Sequence, residues 1–433
     1  MSQQVDAEVE RAPTRAGRIL LVTPQPFYED RGTPIAVADT CRALGELGYE
    51  VDLLAFPLGE DIELRGVTIH RCANPFNIER VPIGFSAGKV LLDATVLGSF
   101  ERLLRSRRYD VVHAVEEAAY IASLLCRRHR RPYIYDMASS IPAELLSHKI
   151  LGHPLAQRAL RRMERNVLRS AAHVVCSIGL GEHVREVGAG VPYTEWRFPA
   201  ITGNPDWGAV ERLRSDLDIK PDSHVVMYSG NFARYQGVDL LMDAFSQAAK
   251  ADPSLMLVCV GASDEAREGT LRKLARYARE RVRILTRRPR SAMPDYFALA
   301  DCLISLRPMS NNLPLKVFDY MATGKPIVAT RGPAHEPLLN HERAFLCDAH
   351  TESVTQAILE VFRSSNRAQA LARSARLHAQ RNYGWSRFVG LVDGIYGSVI
   401  NSRRGAVHTL VGQFLALGGQ MIFGTDFGPE IMT

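Results

Sequence analysis

Cysteine is scarce in this 433-residue chain, and what there is cannot pair by pattern. The seven residues Cys41, Cys72, Cys126, Cys176, Cys259, Cys302 and Cys347 are scattered, odd in number and never spaced Cys-x-x-Cys. Most sit in apolar strand-like runs. That excludes a disulfide scaffold, makes structural zinc unexpected, and predicts buried free thiols in a reducing cytoplasm. Residues 1–17 lack an apolar core, so no secretory signal is expected there. Charge of one sign does not dominate: 53 Lys and Arg stand against 47 Asp and Glu, a net of +6. No nucleic-acid motif and no aromatic interleaving accompanies the arginines, so nucleic acid is not an expected partner. No cluster with metal-ligand spacing is evident, so no metal is expected. The loop after the first strand, around Gly32 and Thr33, lacks Gly-x-Gly-x-x-Gly, which argues against an NAD-type site.

What is present is a soluble composition, 46% apolar and 23% charged, in a chain too long for one ordinary core. Short apolar runs alternate with amphipathic stretches, the pattern of doubly wound parallel sheets. Strands are predicted at Arg18–Thr23, Val51–Phe56, Val67–Cys72, Val111–Val115, Tyr133–Met137 and His173–Ser177. A second series runs through Val225–Ser229, Leu255–Val260, Val282–Thr286, Cys302–Leu306, Ile327–Ala329 and Ala344–Cys347. Pro199, Gly203, Pro205 and Pro221 interrupt the stretch between the two series, which reads as a linker. The expected division is a disordered tail (1–17), an N-terminal half (18–198), a linker (199–224) and a C-terminal half (225–384). A helix over 385–402 returns to the first half, and an atypical tail occupies 403–433.

Residues 311–330 carry the most information. Pro314 suits an early helical position, Gly324 suits its end, and Ile327-Val328-Ala329 reads as a buried strand. A helix opening near Leu313 and Leu315 points unpaired N–H groups and its dipole at an anion. Lys316 adds a positive charge in the first turn. Asp319, one turn on, can accept hydrogen bonds from a pair of hydroxyls, or can form a helical ion pair with Lys316. Phosphate at the tip with ribose beside it is the layout of a nucleotide-sugar site.

This segment resembles the signature of the GT4 retaining glycosyltransferases, two glutamates separated by seven residues and then a Gly-Lys-Pro strand. Asn311 and Asp319 stand at the glutamate positions, and Gly324-Lys325-Pro326-Ile327-Val328-Ala329-Thr330 completes it. The resemblance covers about residues 18–400 and implies the GT-B fold: two Rossmann-like α/β domains facing across a cleft. It implies transfer with retention from a nucleotide diphosphate sugar to a glycan or lipid-linked acceptor, in cell-surface polysaccharide or glycolipid synthesis. The sugar nucleotide is a co-substrate, and no cofactor is implied.

Carried over by position, the resemblance makes His113 and Asn311 catalytic and gives donor contacts to Gly230, Asn231, Arg234, Gln236, Arg287, Leu313, Leu315, Lys316 and Asp319. In many family members the loop at Ser229–Gly237 supplies an Arg and a Lys for the diphosphate. Here uncharged Asn231 and Gln236 hold those places, leaving Arg234, Arg287 and Lys316 as replacements. The Tyr235-Gln236-Gly237 form resembles a subgroup of the family. Gly32, Thr33, Glu116 and Asp136 are the acceptor candidates. The substitutions also keep two other readings open, a catalytically silent nucleotide-binding scaffold and a nucleotide-sugar epimerase.

Two basic groups stand apart from this site, Arg127–Arg131 and the helical series Arg158, Arg161, Arg162, Arg165 and Arg169. They read either as solvated faces or as contacts with anionic lipid at the inner face of the plasma membrane, about 1 kcal/mol per basic residue. Residues 405–425 carry no formal charge, but their glycines and glutamines make a poor membrane span. Leu417–Gly428 resembles a fragment of an amidohydrolase barrel, with Asp426 at its catalytic aspartate position.

Overall fold

The computed structural model describes residues 17–29, 31–81, 87–147, 154–188, 190–201, 203–274, 276–308 and 313–402. Asn311 and the 403–433 tail, with its barrel-like fragment, lie outside them.

Seven strands form the first sheet: β1 (Arg18–Val22), β2 (Glu50–Ala55), β3 (Val67–Arg71), β4 (Val111–Val115), β5 (Tyr133–Met137), β6 (His173–Cys176) and β7 (Tyr193–Glu195). Their order is β3-β2-β1-β4-β5-β6-β7, and all six pairings are parallel. The second sheet holds β8 (His224–Ser229), β9 (Leu255–Ala262), β10 (Val282–Thr286), β11 (Cys302–Ser305), β12 (Ile327–Thr330) and β13 (Phe345–Cys347). It runs β10-β9-β8-β11-β12-β13, again wholly parallel. Both orders reverse beside their first strand, at β1/β4 and at β8/β11. Those are the points where open α/β sheets leave a crevice at the strands' carboxyl ends.

Covering both faces explains why the strands read as continuous apolar runs. In β8, Val226 and Tyr228 enter one core while Val225 and Met227 enter the other. The helix over 385–402 leaves the second half and packs Phe388, Val392, Ile395 and Tyr396 among Ile19, Val37 and Val111 of the first. The two crossings are tied together where the Ala200 N–H donates to the Tyr383 carbonyl at 3.0 Å. All seven cysteines are buried free thiols, and burial pushes several of them up to about 12, which removes them from thiolate chemistry.

Among the elements that depart from the sequence reading are two helices and a strand. Within the expected linker, Trp207–Asp216 is a helix. The Asp206 carboxylate caps it at the Gly208 N–H, and Val210, Leu217 and Ile219 bury into the second half's core. The prolines mark its ends rather than a structureless crossing. The helix Ala87–Ser106 occupies a stretch given no element, and it buries Leu92, Val96, Phe100 and Leu104 at four-residue steps. Strand β7 is three half-exposed residues with no apolar signal.

Candidate active site

The helix Lys316–Thr323 ends where Gly324 adopts φ 71, the left-handed cap its sequence calls for. Lys316 opens it and sends its side chain back to the loop that follows β8. Its ammonium Nζ donates to the Ser229 carbonyl at 2.9 Å and to Gln236 Oε1 at 3.2 Å. It also lies 4.0 Å from the Tyr228 ring centroid, a cation–π contact. Burial, and then the neighbouring Arg307, hold the Lys316 amine well below its ordinary range. Gly230 has φ 135, and a Cβ there would lie 3.1 Å from the Tyr228 hydroxyl and 3.3 Å from Lys316 Nζ. Glycine at this position is therefore what keeps the approach to the ammonium open.

The loop residues divide by role. The Asn231 Oδ1 accepts the Ala233 N–H at 3.1 Å and its carbonyl accepts the Tyr228 hydroxyl at 2.6 Å, so it shapes its own turn. Gln236 is buried and serves Lys316, whereas Arg234 is exposed on a single 3-10 turn. Leu313 and Leu315 pack partly into the core beneath the helix start.

Basic residues gather around this point from several elements. Arg307 follows β11 and stacks on Tyr235, 4.9 Å from ring centre, with burial lowering its pKa. Arg287 is exposed after β10 and lies close enough to Arg31 of the first half to depress it further, burial being the larger cause. His335, buried behind them, meets Ser305 Oγ at 3.0 Å and the Thr330 carbonyl at 2.9 Å. Burial, followed by Lys316 and Arg307, pushes it down to about 4, so it is a neutral brace between β11 and β12.

Asp319 already has a protein partner, because Oδ1 accepts the Ile201 N–H of the crossing segment at 2.7 Å. Burial raises its carboxyl to about 6, against the pull of Arg290. Arg290 bonds Asp39 Oδ2 at 2.7 Å, a contact between the two halves that the sequence reading did not contain. Gly32 and Thr33 open the helix that carries Asp39, with nothing within 4 Å of a Cβ built on Gly32.

The side chains of His113 and Asp136 are both engaged by partners inside the protein. His113 is 1% exposed. Its Nδ1 meets the Tyr396 hydroxyl at 2.6 Å and its Nε2 meets Asp136 Oδ2 at 3.2 Å. The other Asp136 oxygen accepts the Trp196 indole N–H at 2.9 Å. Both ring nitrogens and both carboxylate oxygens are therefore committed to the interior, and this chain of groups fastens the C-terminal helix to the first sheet. His113→Ala is expected to lower stability by about 2–4 kcal/mol, leaving two buried partners, the Tyr396 hydroxyl and Asp136 Oδ2, unpaired. Turnover of the folded fraction is expected to change by no more than a few-fold, read by chemical denaturation beside activity. A collapse in turnover with stability unchanged would assign His113 a catalytic role. Glu116, by contrast, stands at the end of β4 with φ 53, its N–H on the Asp136 carbonyl.

Among the described residues, no group of three or more His, Cys, Asp or Glu could hold a metal ion. An Asp-x-Asp does occur at Asp216-Leu217-Asp218, but it ends a surface helix, and Asp218 pairs with Arg283 at 3.7 Å.

Two family models match the chain: "Glycosyl transferase 4-like domain" over residues 31–198 and "Glycosyl transferases group 1" over 223–364. D-inositol 3-phosphate glycosyltransferase 1 of Catenulispora acidiphila is 27% identical over 429 residues, covering 91% of this chain and 98% of that protein. Among solved structures, Anabaena HepE in complex with UDP and glucose superposes with a TM-score of 0.69 at 18% identity, covering 88% of this chain and all of the other. Sucrose-phosphate synthase from Thermosynechococcus elongatus gives 0.68 at 18% identity, covering 89% of this chain and all of the other.

Proposed function

On the premise that this chain belongs to the glycosyltransferases of the GT-B fold, with a 4-like first half and a group 1 second half, we propose that it transfers a sugar with retention from a nucleotide diphosphate donor. The observation that carries the reading is the Lys316 ammonium. It is desolvated at a helix start, held by Ser229, Gln236 and Tyr228, and bordered by a glycine that leaves room for a ligand. A desolvated amine at a helix N-terminus, able to take a proton as an anion arrives, is built to meet an anion.

The donor diphosphate would sit against Lys316 and the helix amides, with Arg307 and Arg287 adding charge nearby. UDP and glucose in HepE make a uridine donor the first choice. In the transfer, the acceptor oxygen bonds to the anomeric carbon as the bond from that carbon to the diphosphate oxygen breaks. The acceptor's proton passes to the departing diphosphate, whose charge the basic side chains stabilise. Phosphate-assisted chemistry of this kind needs no protein nucleophile, so the loss of a carboxylate at Asn311 is compatible with it.

The acceptor in this reading is a hydroxyl of a glycan or lipid-linked sugar. Arg158, Arg161, Arg162, Arg165 and Arg169 all lie exposed on one helix, together with Leu155 (65% exposed) and Met163 (49%). That mixture suits an anionic membrane surface. Co-sedimentation with vesicles containing anionic lipid, and its absence with zwitterionic ones, is expected. Equal binding to both would remove the membrane contact from the reading.

A thermal-shift screen against UDP, GDP, ADP and their sugar conjugates tests the central proposal. One nucleotide series is expected to stabilise the protein, by about 2.7 kcal/mol at a hundredfold excess over Kd. No shift with any nucleotide would sink the transferase. Binding of a donor with neither transfer nor donor turnover would favour the silent scaffold. Release of an altered sugar without any acceptor would favour the epimerase.

A further inference from the structure

The helix Ala87–Ser106 and the carboxyl ends of β4 and β5 border a second polar cluster, built from first-half residues. Lys89 and Asp93 come from that helix, and Glu116 and Glu117 follow β4. Tyr120 comes from the helix Ala118–Arg128, Tyr135 from β5 and Glu164 from the helix Pro154–Ser170. Lys89 pairs with Glu117. Glu164 is 2% exposed and takes the Ser140 hydroxyl at 2.7 Å and His183 Nε2 at 3.2 Å.

An acidic cluster alone says little, but this one contains polar atoms with nothing to bond. The Tyr135 side chain is fully buried, and its hydroxyl has no hydrogen-bond partner. The Tyr120 hydroxyl and Asp93 Oδ1 are likewise buried and unpartnered. Leaving such groups unsatisfied is costly, and native proteins keep few of them. The hydroxyl of Tyr135 is also aimed into the cluster. Burial first, and then Tyr120, Glu116, Glu164 and Glu117, keep it protonated far above the ordinary tyrosine range. Asp93 is raised to about 7 by burial and by Glu117. The cluster thus presents phenol donors beside carboxylate acceptors, with four carboxyl groups against Lys89 and the His183 that serves Glu164.

We propose that this cluster is the acceptor subsite and that it takes a sugar or polyol bearing no phosphate. The inference rests on the transferase reading above and narrows it. Acceptor hydroxyls can donate to Asp93 and Glu116 while Tyr120 and Tyr135 donate to acceptor oxygens, which completes every unpartnered group. A phosphate placed there would face like charge in a poorly solvated site, where repulsion is strongest. The contrast with the relative named for inositol 3-phosphate is therefore one of charge.

The test uses the full chain, the donor identified by the nucleotide screen, and three matched pairs. These are inositol and inositol 3-phosphate, glucose and glucose 6-phosphate, and glucosamine and glucosamine 6-phosphate. For the unphosphorylated member, kcat/KM is expected to be at least about tenfold higher. Tyr135→Phe is expected to raise the acceptor KM about tenfold with the donor KM unchanged and Tm not lowered, because the lost hydroxyl satisfies nothing in the free protein. Asp93→Asn with Glu117→Gln should narrow the phosphate discrimination about tenfold. Preference for the phosphorylated member, equal use of both, no use of any pair, or an unchanged acceptor KM in Tyr135→Phe would each overturn the assignment. Absence of any nucleotide stabilisation would instead overturn the transferase reading on which it rests.

Discussion

Lys316→Met is expected to lower kcat/KM for the nucleotide sugar by about 10²- to 10³-fold, the loss typical of removing one preorganised group from a developing anion. Global stability is not expected to fall. The variant keeps the stem that packs beside Tyr228 and removes an ammonium whose desolvation weighs against the fold. Arginine should not rescue, because its planar fork is larger than the ammonium that fits between the Ser229 carbonyl, Gln236 and the Tyr228 ring. The pH dependence gives a second readout. Burial, then Arg307, hold the folded amine below its unfolded value. Between those two values the unfolded chain binds the extra proton, so apo stability rises as pH rises through that window and is lost as pH falls through the folded pKa. At a pH inside that window, a diphosphate arriving at Nζ opposes the shift, raises the pKa and draws a proton onto the amine. Calorimetry in buffers of different ionisation enthalpy should detect that uptake in the wild type and lose it in Lys316→Met. Tight nucleotide binding by the variant, with proton uptake intact, would remove Lys316 from the donor site.

Lys316 shows how far sequence reading reaches. Its place in the first turn follows from Pro314, the helix and Gly324, all of which act within one element. The bounds of β4, β5 and β10 were legible for the same reason, being apolar runs closed by turns. Contacts made between distant elements were not. Tyr396 meets His113 across 283 residues, and nothing local in Val111–Val115 announces a partner on the last helix. The His113 and Asp136 side chains take part in that fastening, a structural task that the family position alone did not announce. Prolines misled in the other direction at Trp207–Asp216, because the signals that end a helix also resemble those of a linker. The unpartnered hydroxyl of Tyr135 has no sequence signature at all, since its meaning comes from what surrounds it.

Arg290→Ala is expected to cost about 3–5 kcal/mol, the usual result of stripping one partner from a buried charge pair. Asp39, 4% exposed, would keep only Arg42, which meets its other oxygen at 2.8 Å. The pair joins the helix Gly32–Glu46 of the first half to the turn after β10 in the second, so a fall in kcat of at least tenfold should accompany the lost contact. The pH profile separates this effect from simple destabilisation. Asp319 is raised to about 6 by burial, with Arg290 and the Ile201 N–H pulling it back. Its folded pKa exceeds the unfolded value near 4, so the folded state holds more protons between them. Stability from this group is therefore greatest at low pH, declines from about pH 4 to 6 and then levels off. Without Arg290 the carboxyl must rise further, and the decline must extend above pH 6. The Tm deficit of Arg290→Ala should grow between pH 5 and pH 8, and Asp319→Asn on that background should abolish the growth. A deficit that stays constant, or widens toward acid, would show that Arg290 does not act on Asp319. The cross-domain pair would then be a packing contact, with no part in holding the donor helix against the crossing segment.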